Sequence, residues 1–374
     1  MTSNLTPKSR RAMLLGLPLA LVACDVVSFI SDPKPILEQT WNIPADTAKI
    51  SVADLVPSGI SIYSTPGTSD SSAFQVSFTS VPPIARQVGA DCAACVPLNG
   101  TTTIKPSFVL ASGSSTTLPT NVVSATLLGG QIDVSVTNGL SFDPLHVKTI
   151  APASTDPTQQ GRMVIVVRSG SLVVGRDSLN GVTTTFAPGA VLNRQIALQT
   201  GNISNALAID LTLTSPASDN AVLINSNAAL TATLSVPAFR VGLIRTNVVN
   251  KAMSTIAGDS IPLDGFGSGV TKHIVGGGFD VTITNPFSVT GAVSVGFGYA
   301  PGQSITKTLN ITSGTGVQQI VALTSTDLET LFDSPNKIAL SVSGNLNSAG
   351  PIDVTPKQQI VLVNRLILTV RTPE

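Results

Sequence analysis

The stretch Phe279-Asp280-Val281-Thr282-Ile283-Thr284 alternates apolar and polar side chains at every step. An extended strand points successive side chains to opposite faces, so Phe279, Val281 and Ile283 share one face and the polar residues share the other. A strand with one buried and one solvated face is typical of an antiparallel sheet.

Short segments of the same kind recur along most of the chain, separated by Gly, Pro, Asn, Asp and Ser. The predicted strands cover residues 49–56, 73–80, 102–110, 122–128, 132–137, 163–168, 206–214, 230–236, 279–284, 292–297, 317–323, 337–343 and 359–371. This pattern predicts an all-β protein built from antiparallel, immunoglobulin-like β-sandwiches.

An internal repeat divides the chain. Residues 130–141 align without gaps with residues 277–288 at an offset of 147, and each copy carries an outward Asp, an inward Val and a strand-ending Asn. A looser correspondence pairs residues 206–214 with 338–343, and each of these is followed by a closing strand. The repeat predicts two tandem copies of one sandwich.

The least strand-like stretch between the copies, residues 247–259, is the predicted domain boundary. The N-terminal domain then covers residues 36–246 and the C-terminal domain residues 250–374. Whether residues 36–118 form an additional small β-module stays open. One short connector helix is predicted where Thr326 and Glu329 match a capping box.

The segment Val281-Thr282-Ile283-Thr284-Asn285-Pro286-Phe287 resembles the repeated unit of late-embryogenesis-abundant type 2 (water-stress) β-sandwich domains. The resemblance covers about 20 residues per copy, and the first copy departs from it with Gly139 in place of Pro. It implies a water-stress-domain-like sandwich without catalytic residues, so it transfers no site to this chain.

Composition excludes several classes of function. The chain has 374 residues, 21 basic and 21 acidic, so no net field attracts nucleic acid. Charged residues make up 11%, against a usual share of about 25%. Two His residues and 4% aromatic residues leave few candidates for acid–base chemistry or for stacking on a ligand.

The N-terminus predicts an exported, lipid-anchored protein. A basic segment with Lys8, Arg10 and Arg11 precedes an apolar run over residues 12–23, which is too short for a membrane span of about 20 residues. Leu21-Val22-Ala23-Cys24 then resembles the lipobox of bacterial lipoproteins, which implies lipidation at Cys24 after removal of a signal peptide, residues 1–23. Residues 24–35 would be a tether. The membrane, its leaflet and the export route, Sec or twin-arginine, stay open.

Two further cysteines, Cys92 and Cys95, remain for an exported chain, so the sequence predicts one disulfide between them. The alternatives are a thioredoxin-like redox pair and a metal site. The redox pair would need a following helix in a βαβ unit, but Pro97, Asn99 and Gly100 follow here.

No catalytic constellation emerges from the sequence. His146 and His273 lie in separate segments, and both are expected to be surface or hydrogen-bonded structural residues. Trp41, Tyr63 and Tyr299 are the amphipathic aromatics available to stack on a sugar, and they are far apart in sequence. We therefore predict no catalytic residues, no metal and no cofactor.

These features favour a non-enzymatic binding, adhesive or scaffold module of the bacterial cell envelope. Its expected partners are the membrane, through the lipid, and envelope proteins or polysaccharide. Two alternatives are a self-assembling surface-layer or filament subunit and a carrier of a small apolar ligand.

Overall fold

The computed structural model describes residues 37–63, 72–148, 159–262, 271–300, 303–332 and 337–371. The predicted signal peptide, lipobox and tether, residues 1–35, lie outside these ranges. The strands are β1 (Glu38–Ser51), β2 (Ile60–Tyr63), β3 (Ala73–Val76), β4 (Ile84–Gln87), β5 (Thr102–Ile104), β6 (Phe108–Thr117), β7 (Val122–Asn138), β8 (Arg162–Ser169), β9 (Leu172–Asn180), β10 (Val191–Leu198), β11 (Gly201–Ser204), β12 (Ala206–Ser215), β13 (Ala221–Leu223), β14 (Ala229–Ser235), β15 (Phe239–Thr246), β16 (Lys251–Pro262), β17 (Ile274–Asn285), β18 (Val289–Ala300), β19 (Gln303–Ile311), β20 (Gly314–Leu323), β21 (Lys337–Ser348), β22 (Ile352–Val354) and β23 (Gln359–Arg371).

Two four-stranded sheets form the first sandwich. One has the strand order β4-β14-β7-β10, and the other has the order β6-β12-β8-β9. All of these pairs are antiparallel. A single bridge between β9 and β10, from Gly175 to Leu198, joins the two sheets at one edge.

The second sandwich repeats this arrangement strand for strand. Its sheets have the orders β1-β23-β17-β20 and β16-β21-β18-β19. Within each copy, numbering the eight strands in chain order gives 1-8-3-6 for one sheet and 2-7-4-5 for the other. Eight antiparallel strands in this order are a jelly roll. The predicted all-β, antiparallel sandwich fold is therefore confirmed, and the strand order refines the immunoglobulin-like expectation.

The sequence repeat marks equivalent strands of the two copies. Residues 130–141 include the end of β7, residues 277–288 include the end of β17, and both are third strands of their jelly rolls. The looser correspondence pairs β12 with β21, which are both seventh strands. Residues of the repeat that are 147 positions apart therefore occupy equivalent places in the two jelly rolls.

The strand-ending Asn of each copy performs the same task. Asn138 is fully buried, and its Nδ2 donates to the carbonyl oxygens of Phe142 (3.0 Å) and Phe186 (2.6 Å). Its Oδ1 accepts from the backbone N–H of Leu140 (2.9 Å).

Asn285 is 2% exposed and makes the matching bonds. Its Nδ2 donates to the carbonyls of Val289 (2.9 Å) and Thr312 (3.2 Å), and its Oδ1 accepts from Phe287 N–H (3.0 Å). Both side chains therefore close the turn that ends the third strand.

The strand pairing departs from the predicted division of the chain into domains, which itself stays a prediction. β1 was assigned to the N-terminal domain, 36–246, but it pairs with β23 along its length, from Glu38 with Arg371 to Ser51 with Gln359. Conversely, β22 belongs to the predicted C-terminal domain, 250–374, but it pairs with β15 of the predicted N-terminal domain. The stretch 247–259, predicted to be the least strand-like, contains most of β16.

Three short α-helices and one 3-10 helix are described: α1 (Val52–Leu55), α2 (Val88–Asp91), the 3-10 helix (Ala93–Leu98) and α3 (Ser325–Phe332). Residues 52–55 were predicted as strand. They form a helix because Ser51 and Asp54 make a capping box, with Ser51 Oγ accepting from Ala53 N–H (3.2 Å) and Asp54 Oδ2 accepting from Ser51 N–H (3.1 Å).

The predicted connector helix exists, but its cap lies two residues earlier than expected. Thr324 Oγ1 accepts from Asp327 N–H (3.2 Å), and Asp327 Oδ2 accepts from Thr324 N–H (2.8 Å). The capping pair is therefore Thr324 and Asp327, and the predicted pair Thr326 and Glu329 lies inside the helix. Asp327 also accepts a bond from Lys307 Nζ (2.5 Å), which ties α3 to β19.

Candidate functional site

An open groove of about 710 Å³ lies on the outer face of the sheet β14-β7-β10. Strand register brings its side chains into two rows that cross the three strands. Thr233, Ser135 and Asn193 form one row, and Ser235, Asp133 and Gln195 form the other. The six side chains carry hydroxyl, amide and carboxylate groups and are exposed or half-buried. We call these six residues the polar grid.

The alternation of the strands builds this surface. Ile132, Val134 and Val136 of β7 are buried in the core, so Asp133 and Ser135 between them must face outward. Opposed residues on antiparallel strands lie on the same face, about 5 Å apart, while successive rows lie about 7 Å apart. The polar grid is therefore a regular array of donors and acceptors on a rigid ladder.

One carboxylate dominates the charge of the groove. Asp133 is the acid among the lining residues, and Gln131 Nε2 lies 3.4 Å from its Oδ1. Arg194 also lines the groove, but Asp177 of β9 neutralises it through two hydrogen bonds of 2.6 and 3.2 Å. This pairing lowers the pKa of Asp177 and raises that of Arg194. The groove thus has one net negative charge.

A second, smaller cavity of about 290 Å³ borders a buried lysine, Lys105. This side chain is 0% exposed, and its Nζ donates to the carbonyls of Pro216 and Pro106 and to Ser215 Oγ (3.0 Å). The rings of Phe108 and Phe142 lie 4.9 and 5.3 Å from Nζ, in cation–π range.

Burial is the main cause that lowers the pKa of Lys105 to about 7, and the charge of Lys148 acts in the same direction. The ammonium is surrounded by protein acceptors that hold the segment after β12, so Lys105 is first of all a structural group.

The two histidines occupy separate places. His146 lines the cavity beside Lys105, where its Nδ1 lies 3.2 Å from the carbonyl oxygen of Asp143 and its Nε2 lies 3.1 Å from that of Ala217. His273 precedes β17, and its carbonyl accepts from Arg371 N–H. Both rings lie away from the polar grid.

The aromatic residues singled out from sequence do not line the groove. Trp41 lies on β1, and Tyr63 lies on β2 beneath the guanidinium of Arg240, 5.4 Å from the ring centre. The side chain of Tyr299 lies outside the described part of the chain. Within the described ranges, no three His, Cys, Asp or Glu residues lie together in a group that could hold a metal ion.

The two cysteines of the predicted disulfide are joined in the structure. Cys92 follows α2, Cys95 lies in the 3-10 helix, both are buried, and the S–S distance is 1.97 Å. The redox alternative required a βαβ unit, but every strand pair of the described ranges is antiparallel.

We expect denatured, non-reduced protein to show no free thiol at Cys92 or Cys95. Reduction should lower the free energy of unfolding by only about 2 kcal/mol, because the bridge closes a very short loop. Thiol counting by mass spectrometry, followed by urea unfolding with and without reductant, checks both statements. One free thiol at either position would contradict the pairing.

Several residues of the polar grid escaped sequence prediction. Asn193 and Gln195 lie on β10, which was absent from the predicted strands because Arg194 interrupts its alternation on the apolar side. Asp133 was predicted to be an outward residue, but only the strand register shows which residues lie beside it. Lys105 lies between β5 and β6, at the point where the structure divides the predicted strand 102–110, and its burial had no sequence signal.

Comparisons with known proteins add little. No protein-family model matches this chain, and no curated protein matches it either. A search of solved structures finds a "putative secreted protein" from Parabacteroides distasonis at 12% identity and a TM-score of 0.34, covering 90% of this chain and 100% of that one. At this TM-score the similarity supports no statement about fold or function. Among the described residues, no helix is long and apolar enough to cross a membrane.

Proposed function

We propose that this chain is an exported, lipid-anchored, non-enzymatic binding protein of the bacterial cell envelope. The observation that carries the proposal is the polar grid: six hydrogen-bonding side chains on three paired strands, open to solvent and held on a rigid sheet. The strand ladder fixes the backbone that carries these side chains, so binding requires no ordering of the backbone, and the surface is preorganised for a partner in this respect.

Binding fits this surface better than catalysis does. Concerted acid–base catalysis uses two titratable groups, an acid and a base, and the lining residues offer one carboxylate and one arginine. That arginine is bonded to Asp177. An array of hydroxyls and amides can hold a ligand in place but supplies no nucleophile with an activating base.

The self-assembly alternative has less support. Self-assembly by strand addition requires free sheet edges. The segment before β4 lies along the edge of β6, where Thr117 N–H donates to Thr79 Oγ1 (3.2 Å) and Ser114 Oγ donates to the Pro82 carbonyl (2.9 Å). The side chain of Gln319 on β20 likewise bonds both the N–H and the carbonyl of Asn310 on β19. These contacts disfavour strand addition between copies at the edges of β6, β19 and β20.

The proposed lipid anchor is inferred from the lipobox-like segment that ends at Cys24, and it is tested separately. Cells grown with labelled palmitate should label the wild-type chain, and the Cys24→Ala variant should lose the label and leave the membrane fraction. Two or more acyl chains are needed for stable attachment. Wild-type protein without label would refute lipid anchoring.

Binding is tested with the full lipidated chain in vesicles, mixed with envelope fragments from cells that lack the protein. We expect the vesicles to co-sediment with the fragments after the envelope proteins have been removed by protease, as well as before. Vesicles that remain in the supernatant in both cases would refute an envelope-binding role.

A further inference from the structure

Duplication provides an internal comparison for the polar grid, because the second jelly roll has the same six positions. Its rows are Val363-Thr282-Gln318 and Arg365-Asp280-Ile320, on β23, β17 and β20. Asp280 is equivalent to Asp133 by the offset of 147, and Thr282 is equivalent to Ser135. The other four positions follow from strand register.

The two surfaces differ in chemistry. Three uncharged polar side chains of the first copy, Thr233, Ser235 and Gln195, are replaced in the second by Val363, Arg365 and Ile320. Ile320 is 69% exposed. The second surface is therefore mixed in character, whereas every position of the first can form hydrogen bonds.

The two carboxylates differ in accessibility. Asp133 is half-buried beside the open groove. Asp280 is 6% exposed and accepts a bond at Oδ2 from Gln318 Nε2 (2.8 Å), and no described residue bonds its Oδ1. A ligand could reach the carboxylate of the first copy but not that of the second.

We propose that the groove of the first jelly roll binds an uncharged, hydroxyl-rich polymer, a neutral polysaccharide, with Asp133 and Gln195 as central contacts. This inference rests on the proposed binding function and specifies its site and ligand. A sugar hydroxyl donates and accepts hydrogen bonds at once, and adjacent hydroxyls match the paired atoms of a carboxylate or an amide.

Charge and composition favour this occupant over the others. The single negative charge of the groove repels acidic polymers and nucleic acid. Protein interfaces are enriched in Tyr, Trp, Phe, Met and Arg, but the lining residues include none of these except Arg194, which Asp177 already engages. Since no aromatic side chain of the described residues lines the groove, each site should bind weakly, and many anchored copies would act together.

The test is frontal affinity chromatography of the full lipidated chain, kept in a sugar-free detergent, on immobilised mannan, dextran and galactan. Immobilised alginate serves as the acidic polymer. We expect retention on at least one neutral polymer and none on alginate. Asp133→Asn should weaken the binding about tenfold or more, because a hydrogen bond to a charged group is lost, and Gln195→Ala should also weaken it.

The matched control is Asp280→Asn, the same substitution at the equivalent position of the second copy, which should leave retention unchanged. Circular dichroism and thermal melting verify that each variant is folded. Equal retention of wild type and Asp133→Asn overturns the site, and so does an equal loss with Asp280→Asn. Retention on alginate alone, or on no column, overturns the ligand class. The envelope sedimentation assay then tells whether the proposed function survives that result.

Discussion

Asn138→Ala and Asn285→Ala should each lower the free energy of unfolding by about 2–4 kcal/mol. Each side chain is buried and makes three hydrogen bonds at the end of the third strand of its jelly roll. Alanine would leave two carbonyl oxygens and one N–H without their partner, at a cost of about 1–3 kcal/mol for each buried group that finds no water. Urea unfolding measures the change.

Asn202→Ala is the control for these two variants, since Asn202 is exposed on β11. It should change the free energy of unfolding by no more than about 0.5 kcal/mol. If either buried variant changed stability as little as this control, the shared role of the two asparagines would be wrong.

The second large effect is a rise in stability with pH that depends on Lys105. Burial lowers the pKa of this lysine in the folded protein to about 7, from an ordinary value of 10.5. Between these two values the unfolded chain binds the proton more tightly, so raising the pH favours folding. The stability gained when Lys105 loses its proton is fully present above pH 10.5 and is lost as the pH falls through 7.

Between pH 7.5 and 9.5 the contribution of Lys105 amounts to about 2–3 kcal/mol. It is measured as the difference in unfolding free energy between wild type and Lys105→Met at each pH, because methionine does not titrate. Lys49→Met, the same substitution at an exposed position on β1, is measured at each pH as the surface comparison. A constant difference for Lys105→Met over this range would contradict the lowered pKa.

Local sequence was sufficient to predict the fold class. Strict alternation at Phe279–Thr284, and the apolar run interrupted by Asn364 and Arg365 in the closing segment Gln359–Arg371, predicted strands that the structure contains. Prediction was wrong where a local interaction overrides the alternation. Ser51 and Asp54 cap a helix inside a predicted strand, and two predicted strands at 122–128 and 132–137 form the single strand β7.

The candidate site was harder to predict because it depends on register between distant strands. Asp133 lies beside Gln195 and Ser235 only because β10 and β14 pair with β7 at those residues. In the same way, the burial of Lys105 depends on Ser215 and Pro216, which are more than a hundred residues away along the chain. Neither relation has a periodicity that a single sequence can reveal.

The pairing of β1 with β23 determines when this protein can finish folding. The first strand after the predicted tether lies between solvent and the last strand, with Glu38 bonded to Arg371, 333 positions further along the chain. Contacts between such distant segments form slowly, and an unpaired strand edge invites aggregation in the meantime. During synthesis from the N-terminus, β1 must wait for β23. A product that ends before β23 would therefore lack the strand with which β1 and β17 both pair, and it would expose the sheet edges that β23 covers.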